Sequence, residues 1–246
     1  MKLLLVDIET APNTAYVWGL FKENIPLDRL IESGHVLCWS AKWLGEKEIY
    51  FDSIERSGSK KMLQSIHNML NEADAVIHYN GARFDIPTLN KEFLLNGMTP
   101  PATYSQIDLL RVVRQQFRFT SNKLDYVAKA LKVGEKVKHI GFQLWIQCMA
   151  GDKTAWKQME EYNVQDVVVL EGVYSKLRPW IKNHPNRGIV DDVSGVCPVC
   201  GSVHLIKRGF AVTSGGKYQR FQCKDCGSWP RSKVNLAVKD TLAIAR

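Results

Sequence analysis

The segment Leu3-Leu4-Leu5-Val6, continuing into Asp7-Ile8-Glu9-Thr10, limits what this chain can fold into more than any other feature. A short uninterrupted apolar run of this kind is expected of a buried strand. Asp7 and Glu9 are two residues apart, so both project from the same face at the end of that strand. Far along the chain, Tyr162 and Asp166 are four apart in EYNVQDVVVL, a stretch with helical periodicity, and stack on one helix face. A carboxylate pair on a strand and a tyrosine–carboxylate pair on a helix can converge, with Asp85, the last residue of YNGARFD, closing the group. Like charges so gathered repel unless hard cations neutralise them. Ligands that are all oxygen favour magnesium or manganese.

Each residue taken singly has an ordinary reading. Acids at a strand end are commonly solvated, Asp85 can cap the helix suggested by IPTLNKEFLL, and Tyr162 can be a half-buried aromatic with a bonded hydroxyl. Order and local context together carry the argument. With Asp7-Ile8-Glu9-Thr10, Tyr79-Asn80-Gly81-Ala82-Arg83-Phe84-Asp85 and Tyr162-Asn163-Val164-Gln165-Asp166, the chain resembles the DEDD superfamily of 3′→5′ exonucleases, which have the ribonuclease H-like fold. The resemblance is to the tyrosine branch, as in family B polymerase proofreading domains and small stand-alone phage and bacterial exonucleases. The histidine branch would place a histidine where this chain has Glu161.

The resemblance implies two magnesium or manganese ions held by Asp7, Glu9, Asp85 and Asp166, in-line phosphodiester hydrolysis and release of 5′-monophosphates. It implies that Tyr162 orients the attacking water, since a phenol with a pKa near 10 is a poor base at neutral pH. Thr10, Asn80 and Phe84 match family positions that contact the terminal nucleotide, and Phe84 reads equally well as a stacking surface or a core aromatic. Lys136 and Lys138 fall where the polymerase branch carries a lysine, and neither is preferred; Asp108 is a further acid to which no metal is assigned.

VLCWSAKWL, KEIYFDS, AVIHYN and TYSQIDL read as further strands, with helices near 60–71, 123–131 and 154–177. Strands alternating with helices predict an α/β domain with a mixed, ribonuclease H-like sheet. The insertion NTAYVWGLFKENIPLDRLIESG is expected to pack its aromatics against that sheet.

Near the other end, Cys197-Pro-Val-Cys200 and Cys223-Lys-Asp-Cys226 are separated by 22 residues holding two strand-like segments and a Ser214-Gly215-Gly216 turn. That is the layout of a β zinc ribbon with four thiolates on one structural zinc. Disulfides are the competing reading. No signal sequence precedes the strand at Leu3, so a cytoplasmic setting (the host's, for a phage protein) is expected, and zinc is favoured. Cys38 and Cys148 lie in apolar surroundings and read as inert core residues.

The chain carries +8, and residues 195–246 alone hold nine Lys or Arg against two Asp, or +7. Four thiolates and a zinc reduce that to about +5 on a very small domain. Basic residues interleaved with Phe210, Tyr218, Phe221 and Trp229 suit nucleic acid, and some of these aromatics are expected to cover the small core. The domains read as 1–183 for the nuclease unit, 184–195 for a linker rich in Pro, Gly and charge, and 196–246 for the ribbon. No apolar run has membrane-spanning length, and a polymerase domain would need far more chain. The expected substrate is single-stranded nucleic acid, DNA before RNA, with replication or repair proteins as candidate partners. Two other classes compete: a nucleic-acid-binding ribbon protein with an inactive nuclease fold, and a recruitment subunit for replication or transcription.

Overall fold

A computed structural model describes residues 1–135, 137 and 140–238, and these fall into two compact units, 2–174 and 175–238 with Met1. The first is an α/β unit. Strand β1 (Leu3–Thr10) is followed by the short pair β2 (Thr14–Ala15) and β3 (Leu30–Glu32), then β4 (Val36–Trp43) and β5 (Tyr50–Ser53). Helices α1 (Ile54–Ser57) and α2 (Ser59–Glu72) lead into β6 (Ala75–His78), α3 (Asp85–Leu95) and β7 (Ser105–Asp108). Helices α4 (Leu109–Gln116), α5 (Leu124–Leu131), α6 (Gln143–Met149) and α7 (Lys153–Leu177) follow.

The five-stranded sheet has the order β5-β4-β1-β6-β7. Strand β4 runs antiparallel to β1 and β5 antiparallel to β4, while β6 is parallel to β1 and β7 parallel to β6. The mixed sheet flanked by helices is ribonuclease H-like, as the sequence predicts. Its apolar opening run makes β1 the central strand, because Leu3 to Val6 are all buried. Leu4, Val6 and Ile8 pack with Met62, Leu63, Ile66 and Leu70 of α2 and Ile86, Leu89 and Phe93 of α3. A second cluster joins Leu37 and Cys38 of β4 to Leu144 and Cys148 of α6 and Trp156, Met159 and Tyr162 of α7. Both thiols in it are core residues as expected, and burial pushes the Cys148 thiol up to about 11.

The insertion after β1 departs from expectation. Its aromatics are not packed against the sheet: Trp18 and Phe21 are 90% and 88% exposed, and Tyr16 is exposed beside them. Polar contacts close the excursion instead. The β2–β3 pair holds its base, and the Glu23 carboxylate accepts from the backbone N–H of Trp18 and Gly19 and pairs with Arg29. With its ends joined this way, the loop needs no apolar burial.

The second unit contains a short helix α8 (Arg187–Val190) and the hairpin β8 (Leu205–Thr213) and β9 (Gly216–Cys223). Helix α8 lies inside the segment the sequence reads as linker, and its Arg187 N–H donates to the Pro198 carbonyl of the first cysteine knuckle. Beyond α8, the buried residues described in this unit are Cys197, Gly216, Cys223 and Ser228. Phe210 and Trp229 are exposed, while Tyr218 and Phe221 are half-buried. The cysteines are the centre of this unit.

Candidate active site

Strand alternation sets up the site. Ile8 points into the apolar cluster, while its neighbours Asp7 and Glu9 share the opposite face. Helix α7 crosses there with Tyr162, Asn163 and Asp166 on its buried side. Asp7, Glu9 and Asp166 each offer a carboxylate oxygen, and these oxygens lie within 4.8 Å of one another. The sequence separates the first and last of them by more than 150 residues, and the fold brings them together.

The helix is held on the strand by a relay that the sequence does not announce. Ser40 stands directly opposite Asp7 in the β1–β4 register. Its hydroxyl donates to the Asn163 carbonyl at 2.7 Å, and the Asn163 side-chain amide donates to Asp7 Oδ2 at 2.7 Å. Two turns further along α7, Glu171 pairs with Lys42 of β4. Asn163 thus holds the Asp7 carboxylate from the helix side. Its position beside Tyr162 in the third motif was the only available signal. Tyr162 itself is buried and meets Trp145 of α6 edge-to-face, with ring centroids 5.9 Å apart.

Asp85 approaches β1 differently. It is the first residue of α3, with Phe84 at the cap position, so it does not serve as that helix's cap. Its Oδ1 accepts from the backbone N–H of Ile8, the residue between Asp7 and Glu9, at 3.3 Å. Asp85 is not one of the three acids whose oxygens cluster within 4.8 Å. Burial pushes its carboxyl up to about 6, against two backbone N–H contacts that favour the ionised form. A carboxylate held this way costs free energy until a cation compensates it.

The second motif is a turn between β6 and α3. Asn80 takes a left-handed φ of 72°, which asparagine tolerates better than most residues. Its N–H donates to Asp108 Oδ1, which also caps α4 through the N–H of Leu110. Asp108 is therefore occupied in holding the turn. Gly81 is required here because a Cβ would lie 2.5 Å from the buried His78 ring. Phe84 is 45% exposed, which removes the core-aromatic reading. Asn80 lines a cavity of about 660 Å³ with Tyr79, Arg114 and Lys123, and Thr10 lines one of about 350 Å³ with Pro12, Phe142 and Trp145. Lys136 and Lys138 lie outside the described residues.

The donor sets fit two kinds of metal. Clustered carboxylates suit a hard cation. In the second unit, Cys197, Cys200, Cys223 and Cys226 have sulfurs within 4.8 Å of one another, with Cys197–Cys226 at 3.7 Å and Cys200–Cys223 at 3.6 Å. Zinc–sulfur bonds of about 2.3 Å at tetrahedral angles require sulfurs about 3.8 Å apart, so the cage is the right size for zinc. The two knuckles are built alike. Gly201 and Gly227 both take a positive φ and donate back to the carbonyls of Cys197 and Cys223.

Among the described residues, no helix is long and apolar enough to cross a membrane. No curated protein matches the chain. Its fold is similar to that of the family B DNA polymerase from the hyperthermophilic archaeon Pyrobaculum calidifontis, with a TM-score of 0.55 and 17% identity over 72% of this chain. The match spans 24% of the polymerase chain. The family model RNase_H_2, of the RNase_H superfamily, matches residues 32–178, more than half of the sequence. With that match and this sheet, the chain belongs to the RNase_H superfamily.

Proposed function

We propose that this chain is a metal-dependent 3′→5′ exonuclease of the tyrosine branch. It acts on single-stranded nucleic acid, DNA before RNA, and releases 5′-monophosphates. The observation that carries the reading is the meeting of Asp7, Glu9 and Asp166 at the end of the central strand, with Asp85 bonded to the backbone between the first two. Two divalent cations there would neutralise the scissile phosphate, lower the pKa of the attacking water and stabilise the leaving oxygen.

The chain's own residues do the rest. Asp7, Glu9, Asp85 and Asp166 supply the ligands, and Asn163 keeps Asp7 aimed. Tyr162 orients the water, one helical turn before Asp166 on α7. The cavity beside Thr10 receives the terminal nucleotide against Phe142 and Trp145, and Asn80 and Phe84 flank the strand from the second motif. Arg114 and Lys123, in the larger cavity next to Asn80, offer positive charge to its phosphates. The four cysteines hold one structural zinc. The preference for DNA rests on the likeness to a polymerase and on nothing in the two-metal chemistry, which never touches the 2′ position.

The test is a 5′-labelled single strand incubated with magnesium or manganese. Stepwise shortening from the 3′ end is expected, with covalently closed circles resistant. Asp7→Ala with Glu9→Ala should lower the rate by orders of magnitude, because both cations lose ligands. Tyr162→Phe should be milder, since it removes one water-orienting hydrogen bond and leaves the acids in place. Cleavage of circles at the rate of linear strands would replace the exonuclease reading with an endonuclease one.

A further inference from the structure

The hairpin of the second unit has a third extended segment beside it. Arg220 of β9 pairs antiparallel with Arg231, flanked by hydrogen bonds from Phe221 N–H to the Pro230 carbonyl and from Ser232 N–H to the Gln219 carbonyl. Directly opposed residues share a face, so two guanidinium groups stand side by side on it, an unfavourable pairing by itself. Each is aimed diagonally at an aromatic ring. Arg231 lies over Tyr218 at 3.9 Å and Arg220 over Trp229 at 5.3 Å. The face therefore reads Tyr218, Arg231, Arg220, Trp229, with two guanidinium groups between two rings.

Other contacts hold this arrangement in place. The bulge in β8 between Lys207 and Phe210 turns the Arg208 carbonyl toward Arg220, whose Nε donates to it at 3.0 Å. Among the described residues, no carboxylate pairs with Lys207, Arg208, Lys217, Arg220, Lys224, Arg231 or Lys233; the ion pair within the knuckles is His204 with Asp225. Trp229 also opens onto a groove of about 340 Å³ whose walls include Trp180, Lys182, His184 and Asn186. Both tryptophans are about half exposed, at 53% and 52%.

A ring with a cation on one side and solvent on the other is a stacking platform, and a stacked guanidinium extends it. Aromatic platforms beside unneutralised cations match a polynucleotide strand, in which each base is joined to a phosphate. We infer that the Tyr218–Arg231–Arg220–Trp229 face and the adjoining tryptophan groove form a binding site for a single-stranded polynucleotide, with bases stacked at Trp229 and Tyr218 and phosphates on the two arginines. A duplex hides its base faces and suits the site less. This site rests on the proposed exonuclease reading only for the bound strand's role as substrate. Its binding is separate from cleavage.

The experiment uses the full chain, zinc-loaded and free of chelator, carrying Asp7→Ala and Glu9→Ala so that nothing is degraded. A fluorescein-labelled 20-mer of thymidylate is titrated at several salt concentrations and read by anisotropy. Arg220→Gln with Arg231→Gln should weaken binding about 10-fold or more, and should reduce the magnitude of the log–log salt slope by about 1.4, two phosphate contacts at about 0.7 each. Trp229→Leu should weaken it roughly 5-fold or more, and Trp229→Phe should retain most of the affinity. Exposed lysines of the first unit serve as a charge-matched control: Lys47→Gln with Lys60→Gln should change affinity less than about 2-fold. An equal loss in that control would overturn the proposal, as would full affinity in the arginine or Trp229→Leu variants. Equally tight binding of polyglutamate would do so too, marking a generic polyanion surface. Failure to bind the 20-mer by a chain that still cleaves strands with its acids restored would remove this site and leave the exonuclease reading intact.

Discussion

At the residue scale, Asp85 is a buried acid whose ionisation carries a cost. It is 5% exposed, and burial raises its carboxyl to about 6. Below the unfolded value near 3.8 it is protonated in both states and contributes nothing to the pH dependence. Between that value and about 6 the folded state keeps a proton that the unfolded state has lost, so its contribution to stability falls as pH rises and then levels off. At about 1.4 kcal/mol per pKa unit, ionising it at neutral pH without a cation costs up to about 3 kcal/mol. Asp85→Asn, which can still accept from Ile8 N–H, should therefore stabilise the metal-free protein by roughly 1–2 kcal/mol, raising Tm by about 2–8 °C. The gap between variant and parent should widen from pH 4 to 6 and then stay constant. Manganese should stabilise the parent and not the variant, while activity is lost. A variant less stable than its parent at pH 7 would show that Asp85 is held for structure. Strand and helix periodicity put Asp7 with Glu9 and Tyr162 with Asp166 on shared faces, whereas Asp85 was legible only through the motif resemblance. The sequence could not supply Asn163 or Ser40 in their roles, since both act by pairing across the fold.

Among the elements, the crossing of β1 by α7 decides whether the acids meet. Ser40, Asn163 and the Lys42–Glu171 pair tie that helix to the sheet, so the face of α7 carrying Tyr162 and Asp166 is registered against β4, next to the strand carrying Asp7. Asn163→Ala removes the amide that aims Asp7 and leaves the helix backbone bonded to Ser40. Activity should fall by about 10- to 100-fold, the range seen when a ligand's outer partner is removed, with apparent metal affinity falling in step. Ser40→Ala should cost about 1 kcal/mol of stability, as loss of one buried hydrogen bond, with a smaller effect on rate. If both variants lost stability alike and Asn163→Ala kept full metal affinity, the relay would be purely structural. The principal strands and helices were legible from apolar runs and 3.6-residue spacing. The hairpin insertion was not, because its closure depends on Glu23 meeting Arg29 and two backbone N–H groups. An aromatic-rich loop looks the same in sequence whether it buries its rings or displays them.

On the scale of the whole molecule, the two units draw their stability from different sources. The first has apolar clusters on its sheet, whereas the described residues buried around the second unit's hairpin are Cys197, Gly216, Cys223 and Ser228. The ribbon aromatics are all partly or fully exposed, so little apolar surface leaves water when that hairpin folds, and a metal on the four cysteines would supply what the core does not. Elemental analysis should find one zinc per chain in protein purified without chelators. Stripping that zinc should unfold the hairpin and leave the first unit in place. Hydrogen exchange on the full chain tests this directly: protection should vanish across 205–223 while the strands of the first unit keep theirs. Returning zinc should restore it, and magnesium should not, because thiolates are poor ligands for a hard cation. Cys223→Ser should reproduce the stripped state. Protection across 205–223 that survived zinc removal would mean that the exposed rings and backbone ladder suffice. Blocked thiols with no bound zinc would instead make the four cysteines a pair of disulfides.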